Sequence, residues 1–222
     1  ANCDALHFTA PAPGGVGAIG CMKQALAEAT SQGLTTLHTY AAEIWKYTED
    51  PEDYLRLDRK GELPLRVTHN DTKINNVLFD EETRKALVVI DLDTVMPGLV
   101  GHDFGDAIRF AANFVEEDSP RADKAGVNLN VYWAFAEGFL KETAATLTPR
   151  EVETLGLSCF ALACELATRF LDDYIVGDKY FKIKNAEHNL VRTRCQIALA
   201  KDMLLKMDAM NAIVMDCYNR YR

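Results

Sequence analysis

Carboxylates and an amide flank two short apolar runs in the middle of the chain. The stretch VTHNDTKINNVLFDEETRKALVVIDLDT, residues 67–94, places Asp71 and Asn76 at the start of one run and Asp91 at the end of the next. A hairpin buried on one face requires apolar residues along its length, but it does not require carboxylates at both ends. Amide and carboxylate oxygens are ligands that suit Mg²⁺, and a separate carboxylate can accept a proton.

The elements that must position these groups can be inferred from the pattern. Residues 76–80 and 86–92 are apolar runs separated by the polar turn EETRK, which predicts a β-hairpin. Antiparallel pairing returns Asp91 to the end of the hairpin where Asn76 lies, with Asp71 in the preceding loop. We therefore expect the three side chains to converge.

A metal site beside a general base is the arrangement that phosphoryl transfer needs. There the protein positions an acceptor hydroxyl, neutralises phosphate charge with metal and accepts a proton. The spacing agrees, because the kinase catalytic loop has an Asp followed by four residues and an Asn, and residues 69–76 read HNDTKINN.

The rest of the chain is helical by pattern. Thr148, Pro149 and Glu151 provide an N-cap, a proline in the first turn and a capping-box acid for one of these helices. No alternating strand–helix series is present, so the sequence predicts a mainly α fold with one small hairpin. Apolar residues recur at helical spacing over residues 20–31, 34–48, about 103–115, 127–146, 149–175 and 186–217.

Composition narrows the class of protein. The 222 residues are 48% apolar and 26% charged, with a net charge of −9, which is ordinary for a soluble globular protein. No basic patch offsets the acidic balance, so we expect neither nucleic-acid nor membrane binding. The six scattered cysteines form no CxxC pair, which favours buried thiols in a reducing cytoplasm over zinc or disulfides.

Five segments together resemble one family: HNDTKINNVLFD, VIDLDTVMPG, HDFGDAIRF, RFLDDYIVGDKYF and HNLVRTRCQ. They are similar to the aminoglycoside phosphotransferase and choline kinase-like family, and most of all to its sugar kinases of the N-acetylhexosamine 1-kinase type. The resemblance covers about residues 64–200. It implies the helical C-terminal lobe of a protein-kinase-like fold and ATP- and Mg²⁺-dependent phosphorylation of a small sugar or amino alcohol.

The resemblance also implies roles for the residues around the hairpin. Asp71 would be the catalytic base for the acceptor hydroxyl. Asn76 and Asp91 would hold Mg²⁺ against the ATP phosphates, with Asp93 as a further ligand, directly or through water. Lys73 would neutralise the transferred phosphate.

Supporting residues are expected close by. The resemblance implies that His69 braces the catalytic loop by hydrogen bonds. Asp103 is a candidate supporting residue, although we favour the simpler interpretation that it is the N-cap of the next helix, with Asp106 in its first turn. Arg109 can pair with either acid.

The acceptor is expected to bind in the helical half. Arg169 interrupts an apolar helix, Tyr180 and Phe181 follow a glycine turn, and Phe110 lies one turn past Asp106. A buried arginine needs anionic or hydroxyl partners, and aromatic rings suit the face of a sugar. Alternatively, Arg169 pairs with one of the two aspartates that follow it in the chain, and the aromatic rings belong to the core.

The first 66 residues depart from the kinase pattern. They show no β-rich half and no strand lysine, and the GVGAIG match at residues 15–20 follows no strand, so we interpret it as a flexible glycine stretch. We expect residues 1–66 to be a helical lead-in with an irregular start and residues 67–222 to be the kinase-like catalytic helical lobe. We therefore expect the sheet lobe to be absent. The intact parent protein would then be the active kinase, and this chain alone would be an inactive fragment. Apolar surface left bare by the absent lobe predicts self-association.

Two alternatives stay open at this point. VVIDLDTV, residues 88–95, also resembles the nucleophile strand of haloacid-dehalogenase-type phosphatases, with Asp91 as nucleophile and Asp93 as general acid. That class needs a parallel sheet, which the pattern does not predict. The other alternative is a fragment that binds its ligand without catalysis.

Overall fold

The computed structural model describes residues 61–222. The helices predicted at residues 20–31 and 34–48, the glycine stretch and nearly all of the predicted lead-in lie outside these residues. The described part is mostly helical with two small antiparallel sheets, so the predicted fold class is confirmed at that level. Its strands are β1 (Arg66–Thr68), β2 (Val77–Phe79), β3 (Ala86–Val89) and β4 (Met96–Gly98), and its helices are α1 (Val100–Ala111), α2 (Leu129–Thr143), α3 (Pro149–Glu153), α4 (Leu155–Ile175) and α5 (His188–Tyr221).

The predicted hairpin is present, although its strands are shorter than the apolar runs. β2 pairs with β3 in antiparallel register, Val77 opposite Val89. The Asp80 carboxylate closes the turn by accepting hydrogen bonds from the backbone N–H and the hydroxyl of Thr83, each at 2.7 Å. Ile90 N–H donates to the carbonyl of Asn76 at 2.9 Å, so the pairing extends to the end of the hairpin that carries the polar residues.

A second sheet was not predicted. β1 pairs with β4 in antiparallel register, Arg66 opposite Gly98. From the sequence alone, the proline and glycine in β4 indicate a loop rather than a strand. Three-residue strands are too short to show period-two alternation, so the pattern missed them. The pair closes the base of the segment 69–95 and brings its two ends together.

The helices differ from the predictions mainly at their ends. The predicted helix 149–175 is divided at Thr154, whose hydroxyl bonds back to the carbonyls of Arg150 and Glu151 at 3.1 and 2.9 Å. The predicted start at residue 149 is confirmed: Thr148 and Glu151 form the capping box. Glu151 also takes two hydrogen bonds from the guanidinium of Arg66, which joins β1 to α3.

The core lies where α4 and α5 pack together, with α1 against α4 and α2 against α5. The Phe104 ring of α1 makes edge contacts with Tyr132 and with two further rings of α2. Gly105 lets α1 approach α4 closely, because a Cβ there would lie 2.8 Å from the carbonyl of Ser158. This packing fixes α1, and α1 carries several polar residues of the site described below. The four described cysteines are buried and unpaired with one another, as predicted.

The hairpin exposes apolar side chains on both faces. Every residue of β3 is exposed, and so are Leu78 and Phe79 of β2, while Val67 in β1 is 84% exposed. Exposed apolar side chains are therefore concentrated on the strands, although helices carry single ones such as Leu205 of α5, which is 87% exposed. Self-association through these side chains stays a prediction, which sedimentation at rising protein concentration would test. Within residues 61–222, no helix combines the length and the apolar character that a membrane crossing requires.

Candidate active site

The loop that carries the predicted base is held by one carboxylate of α1. Asp103 accepts hydrogen bonds from the backbone N–H groups of His69 and Asn70 at 2.8 and 2.7 Å. Its own carbonyl accepts a bond from the Thr72 hydroxyl at 2.6 Å. The interpretation of Asp103 as an N-cap is wrong, because α1 begins at Val100 and the carboxylate is turned to the loop instead.

His69 and Asn70 join this loop to the segment after β3. His69 Nε2 donates to the carbonyl of Ile90 at 3.0 Å, and the Thr94 hydroxyl donates to the carbonyl of His69 at 2.6 Å. The Asn70 side chain donates to the carbonyl of Thr94 at 3.1 Å. Asn70 has φ +62°, a strained conformation that these bonds hold in place. The contacts of His69 agree with the bracing role that the resemblance implies.

Asp71 contacts two of its predicted partners. Lys73 Nζ lies 2.6 Å from Asp71 Oδ2, and Asn76 Nδ2 donates to the same oxygen at 2.9 Å and to the Asp71 carbonyl at 2.8 Å. Both side-chain contacts end on Oδ2. The other oxygen, Oδ1, is therefore the one that an acceptor hydroxyl can approach.

Asp91 and Asp93 form a close carboxylate pair beyond the end of β3. Asp91 has φ +62° and ψ +54°, which turns the chain sharply after the strand. Its contact with Asp93 raises the pKa of the Asp91 carboxyl, and the negative charge of Asp71 adds to the effect. Asp91 is exposed, so the pair faces solvent.

The donor set around Asp91 fits a divalent cation. Two carboxylates in contact repel one another unless positive charge lies between them. The amide nitrogen of Asn76 donates to Asp71, so the amide oxygen is the atom of this side chain that could bind a cation. In the described part of the chain, no cluster of three or more His, Cys, Asp or Glu side chains is present that could hold a metal. A site of two carboxylates, an amide oxygen and water suits Mg²⁺, which keeps several of its waters.

A cavity of about 360 Å³ opens on the other side of Asp71. Asp71 and Lys73 line it, whereas Asn76, Asp91 and Asp93 do not. All four residues that the sequence proposed for the acceptor line it as well: Phe110, Arg169, Tyr180 and Phe181. Asp71 thus lies near the carboxylate pair and also lines the cavity.

Arg109 forms ion pairs with two acidic residues of the cavity wall. Its guanidinium donates to Asp106 Oδ1 through Nε at 3.1 Å and through Nη2 at 2.8 Å, and it also bonds to Glu117. Burial acts to lower the pKa of Arg109, but the two carboxylates outweigh burial and hold that pKa above its ordinary value. Arg109 therefore pairs with Asp106, as the sequence allowed, and with a second acid that was not expected.

Arg169 does not pair with either aspartate that follows it. Its nearest carboxylate is Glu165, one turn earlier on α4, at 4.0 Å. Its guanidinium carbon lies 5.6 Å from the ring centre of Tyr180 and 5.4 Å from that of Phe181. The alternative that placed these aromatic rings only in the core is wrong, because both line the cavity.

Asp173 holds this aromatic wall in place. Its buried carboxylate accepts hydrogen bonds from the backbone N–H groups of Lys179, Tyr180 and Phe181 at 2.8 to 3.0 Å. The Asn189 side chain donates a fourth bond to it at 2.9 Å. The turn begins at Gly177, whose φ of +90° few other residues adopt. Asp173 is thus a positioning residue for the two rings.

Sequence reasoning missed three charged residues of the cavity: Glu117, Glu165 and Arg192. Glu165 left a signal, because it precedes Arg169 by four residues in an otherwise apolar helix. Arg192 lies in the HNLVRTRCQ segment and donates to Asn189 Oδ1 at 3.2 Å. Glu117 lies in a loop, where residue type alone says nothing about burial.

Two titratable groups of the cavity are shifted by burial. Burial raises the pKa of Glu165 to about 7, against a smaller opposing effect of Arg169. Burial lowers the pKa of His102 to about 4, so this imidazole is neutral at physiological pH. With His102 neutral, the cavity is lined by four basic side chains and four acidic ones.

The chain belongs to the phosphotransferase enzyme family. Residues 17–139, more than half of the chain, match the sequence model of that family, APH. The match includes the Asp71 loop, the hairpin and the Asp91–Asp93 pair. It ends before α4, so the cavity wall formed by Arg169, Tyr180 and Phe181 lies outside it. The phosphatase alternative is not favoured, because β3 pairs only in an antiparallel hairpin within the described residues.

We expect Asp173→Asn to loosen the aromatic wall. The amide group would place an N–H against donors that now meet a carboxylate oxygen, and a bond to a charged group contributes about 1.5–3 kcal/mol. Hydrogen exchange of the backbone N–H groups at residues 179–181 should become at least about tenfold faster. Asp172→Asn, one residue earlier on α4, is the control. If these N–H groups exchange no faster in Asp173→Asn than in Asp172→Asn, Asp173 does not hold the turn.

The shifted pKa of Glu165 predicts how stability depends on pH. Because the folded-state pKa lies above the ordinary value, folding favours the protonated form; its contribution is complete below about pH 4.5 and is lost as pH rises through about 7. Between pH 5 and 8, wild type should lose about 2–3 kcal/mol of unfolding free energy relative to Glu165→Gln. Urea denaturation at both pH values measures the unfolding free energy of each protein. An equal change in wild type and Glu165→Gln between the two pH values would contradict the prediction.

Proposed function

We propose that this chain forms the catalytic helical lobe of an ATP- and Mg²⁺-dependent phosphotransferase that acts on a hydroxyl of a small neutral acceptor, namely a sugar such as an N-acetylhexosamine. Membership of the phosphotransferase enzyme family supports the reaction class. The position of Asp71, near a carboxylate pair and on the wall of the cavity, is the observation that carries the proposal.

The residues around Asp71 have separate roles in the proposed reaction. Asp71 Oδ1 accepts the proton of the acceptor hydroxyl, while Lys73 and Asn76 fix the orientation of the carboxylate through Oδ2. Asn76, Asp91 and Asp93 would hold Mg²⁺. When bound, Mg²⁺ neutralises the phosphate charge that develops during transfer. Lys73 can add positive charge on the side of the cavity.

The charge of the cavity favours a neutral acceptor. A pocket for a polycation such as an aminoglycoside should carry an excess of acidic groups, but here four acidic side chains face four basic ones. Aromatic rings beside a half-buried arginine and a buried glutamate suit a molecule with apolar faces and hydroxyl edges. A volume of about 360 Å³ is within the range of small-molecule sites.

Replacing the base should remove most turnover. We expect Asp71→Asn to lower kcat by at least about 100-fold, because general-base catalysis typically contributes 10²–10⁴-fold. The measurement is ATP-dependent formation of a sugar phosphate by the protein of which this chain is all or part. Asp208→Asn, an exposed aspartate of α5, is the matched control. Near-wild-type turnover of Asp71→Asn would refute the assignment, and binding without any turnover by wild type would favour a non-catalytic role.

The metal site can be tested without turnover. Mn²⁺ substitutes for Mg²⁺ on oxygen ligands, and its effect on water proton relaxation reports binding. We expect Asp91→Asn to weaken Mn²⁺ binding at least about tenfold, as loss of metal-site residues does elsewhere. Mg²⁺ should displace the Mn²⁺, and Asp208→Asn should bind it as wild type does. Unchanged affinity in Asp91→Asn would place the metal elsewhere.

A further inference from the structure

Glu165 is a buried carboxylate that lacks a hydrogen-bond partner within the described chain. It lies on α4, is 8% exposed and is surrounded in sequence by buried apolar residues. Its contact with Arg169 is 4.0 Å, which is longer than a hydrogen bond. No other described residue bonds to its side chain.

The other acids of this region are bound, which sets Glu165 apart. Asp106 and Glu117 share Arg109, and Asp173 accepts four hydrogen bonds. Buried polar groups in folded proteins are nearly always hydrogen-bonded, and an exception calls for an explanation. The carboxylate of Glu165 lines the cavity, so a bound molecule can supply the missing donors.

The charges around Glu165 decide what kind of donor it receives. Arg169 on its own helix and Arg109 on α1 are both close enough to favour its ionised form, while Asp106 opposes it. Arg192 on α5 and the neutral His102 on α1 line the same cavity. Arg109 and Arg192 are already paired with acids, whereas the guanidinium of Arg169 lies 4.0 Å from Glu165. The charge of Arg169 repels an ammonium group, but it does not repel hydroxyl or amide donors.

We propose that Glu165 is a specificity-determining residue of the acceptor pocket, whose carboxylate accepts hydrogen bonds from the hydroxyl or amide N–H groups of a neutral acceptor. This inference rests on the proposed function. It selects sugar acceptors over amino alcohols, since an amino alcohol would bring a cation next to the guanidinium of Arg169. Hydrogen bonds to the carboxylate also stabilise its ionised form, so binding of the acceptor and loss of the Glu165 proton are coupled.

Titration calorimetry on the full 222-residue chain tests the inference, with N-acetylglucosamine and choline as probes. Wild type should bind the sugar and not choline, and Glu165→Gln should bind the sugar at least about tenfold more weakly. Glu142→Gln, which removes the same charge from an exposed site on α2, should bind as wild type does. Among monodeoxy analogues of the sugar, at least one should lose affinity for wild type while losing none for Glu165→Gln.

The possible outcomes separate the two proposals. If wild type binds no neutral sugar, the proposed acceptor class is wrong and this inference is wrong with it. If wild type and Glu165→Gln bind the sugar equally, the acceptor class stands and the role of Glu165 is wrong. Binding of choline that depends on Glu165 would overturn the neutral-donor specificity. Glu165→Asp, which keeps the charge but shortens the side chain, is the second variant if Glu165→Gln does not fold.

Discussion

The hydrogen bonds from the His69 and Asn70 backbone to the Asp103 carboxylate are the constraint on which the site depends. Asp103 lies on α1, which is fixed against α4 by the close approach at Gly105. The loop therefore takes its position from the helical core rather than from the exposed hairpin. Hydrogen bonds from backbone N–H groups to a carboxylate are short and directional. These two bonds therefore fix the loop that places Asp71 at the cavity.

The same logic extends to the opposite wall of the cavity. Asp173 accepts three consecutive backbone N–H groups, much as Asp103 accepts two, and so fixes Tyr180 and Phe181 against Arg169. In both places a carboxylate, half-buried in Asp103 and buried in Asp173, organises an irregular segment that has no sheet or helix of its own to hold it. Burial makes these bonds strong, because water does not compete for the same donors. Hydrogen bonds to helical carboxylates thereby hold the two loops that a substrate in the cavity would contact.

Much of the site followed from the sequence because it depends on local geometry. Antiparallel pairing of two apolar runs is enough to bring Asn76 next to the chain segment before Asp91, whatever the remaining fold. The capping box at Thr148 is equally local, and it was also predicted correctly. The β1–β4 pair was missed because three residues carry no periodic signal, and it depends on contacts between segments about thirty residues apart.

The missed residues share one physical cause. α4 is buried around most of its circumference, so helical periodicity cannot show which charged side chain faces the cavity. Asp103 was assigned to a cap for a similar reason, since its position in the first turn is compatible both with a cap and with a bond to a distant loop. Only the packing of α1 decides between them.

Asp71 connects two environments that have opposite requirements. On one side, exposed carboxylates and an amide oxygen are suited to a hydrated cation and the highly charged phosphates that a cation binds. On the other, a cavity with balanced charge is suited to a neutral molecule whose hydroxyl groups replace water. A base placed between them can meet a hydroxyl from the cavity while phosphate approaches from the metal. In the proposed arrangement, this separation keeps the charged donor and the neutral acceptor from competing for the same groups, so Glu165 and three arginines can line the acceptor wall without disturbing the proposed metal ligands.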